Sequence, residues 1–419
     1  MHEDSKVFLR SLFDAAVAAA DPSLAMRDNL PAKPKGRTVV IGVGKASAQM
    51  ARALEQLWDG PLTGVVVTRY GFGCETKNIQ VLEAAHPVPD QAGLNASRVL
   101  LEAVSNLTAD DLVIALISGG GSALLPAPPS SLHLSDEIEV SRVLLASGAP
   151  IAAMNIIRKH VSSIKGGRLA ASTKARVVTF VVSDIPGDIP SLVATGPTIP
   201  DESTAQDALD IVAQYGLLLP TGVIDHLMSP EAAAPRPSDE VFARNRHHIV
   251  ASAQLSLKAA SKLAEKSGIR AVILSDAIEG ESRDIASMHA AIARSIATHG
   301  EPFERPVLLL SGGETTVTLK PESGRGGRNT EFALAAAIAL HGFDVQLLAA
   351  DTDGVDGIGD NAGAFADGRT FARMTQASLD PVRHLGTNDS YKAFEAIGDL
   401  FKPGPTGTNV NDFRALLIR

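Results

Sequence analysis

The sequence predicts a two-domain α/β protein, and three observations point there. Short apolar, β-branched runs recur along the chain: Val39 to Val43, Gly64 to Thr68, Leu112 to Ile117, Val177 to Val182, Ala271 to Leu274, Val307 to Leu310 and Val345 to Ala349. Helical patterns separate many of these runs, which predicts parallel sheets covered on both faces. The stretch MSPEAAAPRPSDE, Met228 to Glu240, has three prolines and little apolar periodicity, so it reads as an interdomain connection. It divides the chain into a domain over 1–235 and a smaller one over 236–419.

Composition narrows the partners. The 419 residues are 45% apolar and 20% charged, which suits a globular chain with more than one core. Against 47 Asp and Glu there are 38 Lys and Arg, a formal net charge of −9, and no basic block stands out. Nucleic acid is therefore not the expected partner, and an anionic substrate would need a local cationic pocket. Cys74 is the single cysteine, which excludes an internal disulfide and cysteine-cluster metal sites. The opening MHEDSKVFLRSLFDAAVAAADP carries acids and helical apolar spacing at Val7, Leu12, Ala15 and Ala19. It reads as a surface helix of a cytoplasmic protein. Apolar runs such as FALAAAIAL from Phe332 fall well short of the ~20 residues of a membrane span.

The first strand ends in TVVIGVGKASAQM, residues 38–50. A dinucleotide fingerprint would need a third glycine or alanine where Ser47 stands, and an acid about 20 residues later where the second strand ends in Thr68-Arg69. Arg69 could instead meet a 2'-phosphate, which keeps an NADP reading open. A triphosphate loop fails too, since Gly44-Lys45 is followed by Ala46 rather than Ser or Thr. What remains is a glycine turn into a helix start carrying Lys45, where free N–H groups, helix dipole and ammonium converge on an anion. A solvated helix-start lysine is the alternative.

Further along, LVIALISGGGSALL from Leu112 and PVLLLSGGETTVTL from Pro306 echo one another as buried strands ending in Ser-Gly-Gly. Residues Ser118, Gly119, Gly120, Gly121 and Ser122 in the first, with Gly313 and Glu314 in the second, are candidates to cradle an anionic ligand; two ordinary tight turns are the alternative. In MNIIRKHVSSIKGGRLA, helical spacing of Ile157, Val161 and Ile164 aligns Arg158 with Lys165, either a ligand-facing basic stripe or a solvated face. VVSDIPGDIPSLVATGPTIPD places Asp184 and Asp188 just past a strand, as magnesium ligands or as turn aspartates. Asp184 is also a candidate base, a role that metal binding would compete with. Arg325 and Arg328 stand in a glycine-rich approach to a helix starting near Thr330, suited to a carboxylate or phosphate. AADTDGVDGIGDNAGAFAD follows a buried strand and lacks the calcium-loop spacing, leaving Asp351 as a possible metal or phosphate-side group. TGTNVNDFRALLIR puts Asn409, Asn411 and Asp412 before a terminal strand. The histidines are scattered, and none sits in a catalytic motif.

Seven of these segments, in series, resemble the glycerate 2-kinases whose C-terminal half is called the MOFRL domain: IGVGKAS, LISGGGSALL, NIIRKHVSSIKGGRLA, SDIPGD with ATGPT, LSGGETTVT with GRGGRN, AADTDGVDG and TNVND. The resemblance spans nearly the whole chain. It implies a Rossmann-like N-terminal domain and a smaller α/β MOFRL domain, with the active site between them. It also implies ATP-dependent phosphorylation of D-glycerate at its 2-hydroxyl, giving 2-phosphoglycerate, with a divalent ion such as Mg2+. Functional weight then falls on Lys45 and on Arg325 or Arg328. Relatives have also been labelled hydroxypyruvate reductase, so an NADP-dependent reductase resting on Gly42, Gly44 and Arg69 is the rival enzyme. A non-catalytic binder of small organic anions is the third reading.

Overall fold

The computed structural model describes residues 3–185, 187–320 and 324–419. The first two residues of the expected N-terminal helix, Pro186 in the Asp184 loop and the first part of the approach to Arg325 lie outside them. The chain forms two compact units, Pro22–Val250 and Met1–Asp21 with Ala251–Arg419. This corrects the expected division in two places. The first helix belongs with the C-terminal unit, and the boundary falls after a further strand rather than at residue 235.

In the unit 22–250, six strands line up in the order β3-β2-β1-β4-β5-β6. They are β1 (Thr38–Val43), β2 (Thr63–Arg69), β3 (Ile79–Ala84), β4 (Leu112–Ser118), β5 (Arg176–Val182) and β6 (Arg246–Ala251). This is a Rossmann strand order, and every pairing from β3 through β5 is parallel. Strands β1 and β4 are buried at every position, as continuous Val, Ile and Leu runs covered on both faces must be. One face packs on Ala96, Leu100 and Val104 of the helix Gln91–Ser105. A second apolar cluster, including Val140, Leu144, Ile157, Val161 and Leu227, joins a helical layer. Strands β3 and β6 escaped the sequence reading because both are partly exposed and carry Glu83 or paired histidines where the other strands are apolar.

The other unit holds a six-stranded sheet in the order β11-β10-β9-β12-β8-β7. Its strands are β7 (Arg270–Glu281), β8 (Val307–Thr316), β9 (Val345–Asp351), β10 (Gly363–Asp367), β11 (Leu400–Phe401) and β12 (Asp412–Ile418). Only β7 and β8 pair in parallel; β12 runs antiparallel to both β8 and β9, and β10 antiparallel to β9 and β11. The expected parallel sheet is thus a mixed one. The reason is the terminal segment DFRALLI, which inserts between β8 and β9 and sets its own start, Asp412, opposite Asp351.

The helix Glu3–Ala19 docks through Leu9, Leu12, Phe13 and Ala16, while Val7 is 60% exposed. The apolar face is therefore rotated around the helix from the one read from Val7, Ala15 and Ala19, with only Leu12 shared. Its partners are Leu257, Ala260 and Ala264 of the helix Ala253–Lys266 and one face of the mixed sheet. Phe13 meets Phe401 and Phe413 edge-on at 4.9 and 5.9 Å. Among the described residues no helix is long and apolar enough to cross a membrane.

Candidate active site

In the unit 22–250 the site grows from the carboxyl ends of β1, β4 and β5. Parallel pairing sets Val43 beside Ile117 and Ser118 beside Val182, so the turns leaving these strands are neighbours. The Lys45 N–H donates to Gly119 O at 2.9 Å, the Ala46 N–H to Ser118 Oγ at 3.0 Å, and the Gly44 N–H to Val67 O at 3.0 Å. These bonds fix the lysine turn onto the glycine turn. A Cβ at Gly119 would overlap the Asp184 carboxylate, so the missing side chain lets that acid approach the backbone. Gly120 has φ 78°, left-handed, and a Cβ there would stand 3.1 Å from Lys45 Cε and 3.2 Å from His86 Nε2. The turn therefore gathers Lys45, Asp184 and His86, and Gly121 opens the short helix Gly121–Leu124.

Lys45 is half-buried and has no carboxylate partner among the described residues. Burial, then the charges of Lys45 and Arg69, push the His86 imidazole down to about 4. His86 lay in no motif, and only the fold brings it here. Arg69 stacks on Phe72, 3.6 Å from the ring centroid.

Ser122 opens a polar relay. Its Oγ bonds Thr195 Oγ1, which donates to Asn155 Oδ1 at 3.2 Å, and Arg158 Nη1 donates to the same oxygen at 3.2 Å. Asn155 Nδ2 anchors to Leu192 O at 3.0 Å. Thr195 has φ 62°, a conformation that costs a threonine about 1–3 kcal/mol and is held here by surrounding bonds. Asn155 and Thr195 lie in the NIIRKHVSSIKGGRLA and ATGPT segments, but neither stood out there as a site candidate.

Arg158 and Lys165 do not share a helix face. The helix Ile151–His160 ends before Val161, and Gly166 and Gly167 turn the chain with φ 61° and 83°. Lys165 is instead buried in an ion pair with Glu137, whose other oxygen accepts the Ala127 N–H at 2.9 Å. It is a core ion pair rather than a ligand-facing cation. Asp188 sits in a turn with φ 52°, its N–H donating to Ile185 O at 3.1 Å. Among the described residues no three His, Cys, Asp or Glu side chains gather as a metal cage.

In the other unit, antiparallel pairing brings Asp351 at the end of β9 and Asp412 at the start of β12 together, and Arg328 at the start of the helix Arg328–Ala339 closes onto both. Its Nε donates to Asp412 at 2.6 Å, Nη2 to Asp351 at 2.6 Å and Nη1 to Glu314 at 2.8 Å. Burial opposes the guanidinium charge, but the carboxylates of Asp412, Asp351 and Glu314 outweigh it and hold Arg328 firmly protonated. Burial pushes the Asp351 carboxyl up, against the pull of Arg328. Asp412 also bonds Arg414 and the Asn329 amide, the latter at 2.8 Å. Asp351 thus has one oxygen on Arg328 and the other on the Asp353 N–H at 3.1 Å.

Asp356 takes the Asn329 and Thr330 N–H groups at 2.9 and 2.8 Å, capping this helix, while burial raises its carboxyl to about 6. Asp356 thereby gives the DTDGVDG loop the role of a helix cap. Arg325 is different. Its guanidinium stacks on Tyr391, 3.7 Å from the ring centroid, its side chain is 42% exposed, the guanidinium stands 3.8 Å from the Asp360 carboxylate, and the backbone N–H donates to Asp389 Oδ1 at 2.9 Å. The Ser-Gly-Gly echo is not repeated in structure. Ser311 to Gly313 stay within β8, where a Cβ at Gly313 would overlap the Ile278 backbone of β7 at a shift in register. Gly313 is a packing glycine, and Glu314 is an arginine partner.

Two families match successive parts of the chain, the first from within the helix Glu3–Ala19. Residues 8–228 match the family described as domain of unknown function DUF4147, and residues 307–412 match the MOFRL family. A glycerate 2-kinase of Pyrococcus horikoshii is 37% identical over 97% of this chain and 96% of its own. A protein of Agrobacterium vitis, named provisionally as a hydroxypyruvate reductase, is 49% identical over 98% of this chain and 94% of its own. The crystal structure of a glycerate kinase from Thermotoga maritima superposes with a TM-score of 0.90 at 36% identity, covering 100% of both chains. The chain belongs to the glycerate 2-kinase family, with a DUF4147 domain followed by a MOFRL domain.

Proposed function

We propose that this chain is a cytoplasmic kinase that transfers the γ-phosphoryl group of ATP to the 2-hydroxyl of D-glycerate, giving 2-phosphoglycerate and ADP. The observation that carries the proposal is the Lys45 turn: an ammonium with no fixed carboxylate among the described residues, pinned by backbone bonds to a glycine turn with an aspartate behind it. Phosphoryl transfer needs positioning and charge neutralisation more than covalent help. Lys45 and the turn through Ser118, Gly119, Gly120, Gly121 and Ser122 supply both for the phosphates. Arg325, stacked and exposed rather than locked among carboxylates, is the arginine of the GRGGRN segment whose charge is left to meet a substrate anion.

Asp184, with Asp188 as a second donor, would hold Mg2+. One or two carboxylates without a cage suit an ion that keeps waters and phosphate oxygens as its other ligands. Bound there, the ion would neutralise charge on the nucleotide phosphates. Asp351 is committed to Arg328 and is not assigned to metal.

The Agrobacterium vitis relative keeps a second reading in view, NADP-dependent reduction of hydroxypyruvate. Against it, the fingerprint's third position is the fully buried Ser47, whose hydroxyl donates to Gly44 O and Val67 O at 2.9 and 2.8 Å, and Arg69 is laid on Phe72. Two incubations decide: D-glycerate with ATP and magnesium, and hydroxypyruvate with NADPH. The kinase reading expects ADP in the first and a phosphate ester at carbon 2 by phosphorus NMR. Cofactor oxidation in the second without ADP in the first would overturn it, and inactivity in both would leave an anion binder.

A further inference from the structure

The kinase reading leaves the substrate hydroxyl without a proton acceptor, since Asp184 is taken by the metal. One group beside Lys45 has no other task. His86 follows β3, and its Nε2 shares with Lys45 Cε the space that Gly120 leaves open, at 3.2 and 3.1 Å from the absent Cβ. Among the described residues no hydrogen bond holds either ring nitrogen of His86, and the ring is half-buried. The buried histidines are the opposite. His289 is tied to Ile285 O at 2.8 Å and Ser311 Oγ at 2.9 Å, and His226 to Ser131 Oγ at 3.0 Å and His160 O at 3.1 Å. Those rings are structural, whereas His86 presents an uncommitted nitrogen at the turn that binds the reacting groups.

We propose that His86 is the general base of the transfer, its free ring nitrogen accepting the proton of the glycerate 2-hydroxyl as that oxygen attacks the γ-phosphorus. The new bond joins the glycerate oxygen to phosphorus. The bond from phosphorus to the bridging oxygen breaks, its electron pair leaves on the β-phosphate of ADP, and the proton ends on His86. The inference rests on the kinase reading.

The surroundings suit the role. A base must be unprotonated before the step, and burial with the cations Lys45, after β1, and Arg69, at the end of β2, keeps the imidazole neutral at pH 7. Asp184, after β5, is the acid of the adjoining Gly119. A substrate carboxylate or phosphate bound at Lys45 offsets its field, so His86 gains basicity when the site is filled.

The test uses the full chain with D-glycerate, ATP and magnesium across pH, comparing wild type with His86→Gln and His86→Ala after matching their thermal unfolding. Wild-type kcat should fall toward acid pH as the base protonates. Both variants should lose roughly 100- to 10,000-fold in kcat and the acid limb with it, and free imidazole should restore part of the His86→Ala rate. Variants within about fivefold of an active wild type, or variants that keep the acid limb, would overturn His86 and leave the kinase standing. A wild type that forms no ADP would overturn the kinase reading and this inference together. Titration of the His86 ring by NMR needs no variant: its pKa should rise when D-glycerate is added, and an unmoved value would count against the assignment.

Discussion

Replacing Arg328 by methionine separates structural from chemical duty among the arginines of the GRGGRN segment. The three carboxylates on Arg328 are not equal, since Asp412, Asp351 and Glu314 have side chains 0%, 8% and 54% exposed. Glu314 keeps water as an alternative partner, so its pair contributes about 0–1 kcal/mol. Loss of the cation leaves Asp351 and Asp412 buried with less compensation, and breaking such a pair costs about 3–5 kcal/mol. Asp412 retains Arg414, Asn329 and Thr315 as donors, which places the expectation near the lower bound, about 3 kcal/mol. Fluorescence of the single tryptophan would miss the effect, because Trp58 lies in the unit 22–250. Hydrogen exchange of the β8, β9 and β12 amides reads it directly, and 3 kcal/mol corresponds to opening that is more than about 100-fold more frequent. Adding Asp351→Asn should restore part of the protection. Unchanged protection in Arg328→Met together with a large loss of kcat would refute the argument and make Arg328 a substrate contact.

Three further sets of changes test the other assignments. Lys45→Ala should lower kcat by roughly 100- to 1,000-fold with stability within about 0.5 kcal/mol, and Arg325→Ala should behave alike, while Arg69→Ala leaves kinase turnover nearly unchanged. Full turnover in Lys45→Ala would sink the anion-turn interpretation. Lys165→Met should destabilise by about 3–5 kcal/mol by leaving Glu137 buried alone, whereas Lys165→Met with Glu137→Leu should recover most of it; urea midpoints decide, and equal losses would deny that the pair is structural. Phe13→Ala should cost about 3–5 kcal/mol and loosen the helix Glu3–Ala19, read by proteolysis of the N-terminus; resistance like wild type would mean that the edge-on contacts to Phe401 and Phe413 contribute little.

What the sequence revealed depended on whether a signal was local. Seven strands stood out as continuous apolar runs; in β1, β4 and β9 burial on both faces writes itself into consecutive residues, while the edge strand β7 is apolar though only partly buried. The strands β3, β6 and β10 did not: the first two are partly exposed, and GAFAD is short and rich in small residues. The glycine-lysine turn was legible because its chemistry lies within a few positions. The relay from Ser122 through Thr195 and Asn155 to Arg158 was not, since its members are up to 73 residues apart and nothing local links the candidates Ser122 and Arg158 through Thr195 and Asn155. The docked face of the first helix was misplaced for a related reason. With alanines on several sides, apolar spacing fits more than one stripe, and only the aromatic partners Phe401 and Phe413 select the one that carries Phe13.

The cations show most clearly why spacing could suggest a site but not assign it. Arg158, Lys165, Arg325 and Arg328 look alike in sequence, each beside glycines or on an apolar helix. A positive charge can stabilise a phosphoryl transfer only if the resting protein has not already neutralised it, because a fixed carboxylate at 2.6 Å competes with any incoming phosphate. By that criterion Lys165, paired with Glu137, and Arg328, paired with three acids, are spent on the fold. Arg158 is turned onto the amide oxygen of Asn155, a neutral acceptor that leaves its charge in force but its direction fixed. Lys45 and Arg325 are held by backbone placement and by an aromatic face rather than by close acids, so their charge stays available. The net charge of −9 sharpens the point. In an acidic chain, a half-buried lysine that has no carboxylate partner among the described residues is a costly arrangement unless an anionic ligand completes it.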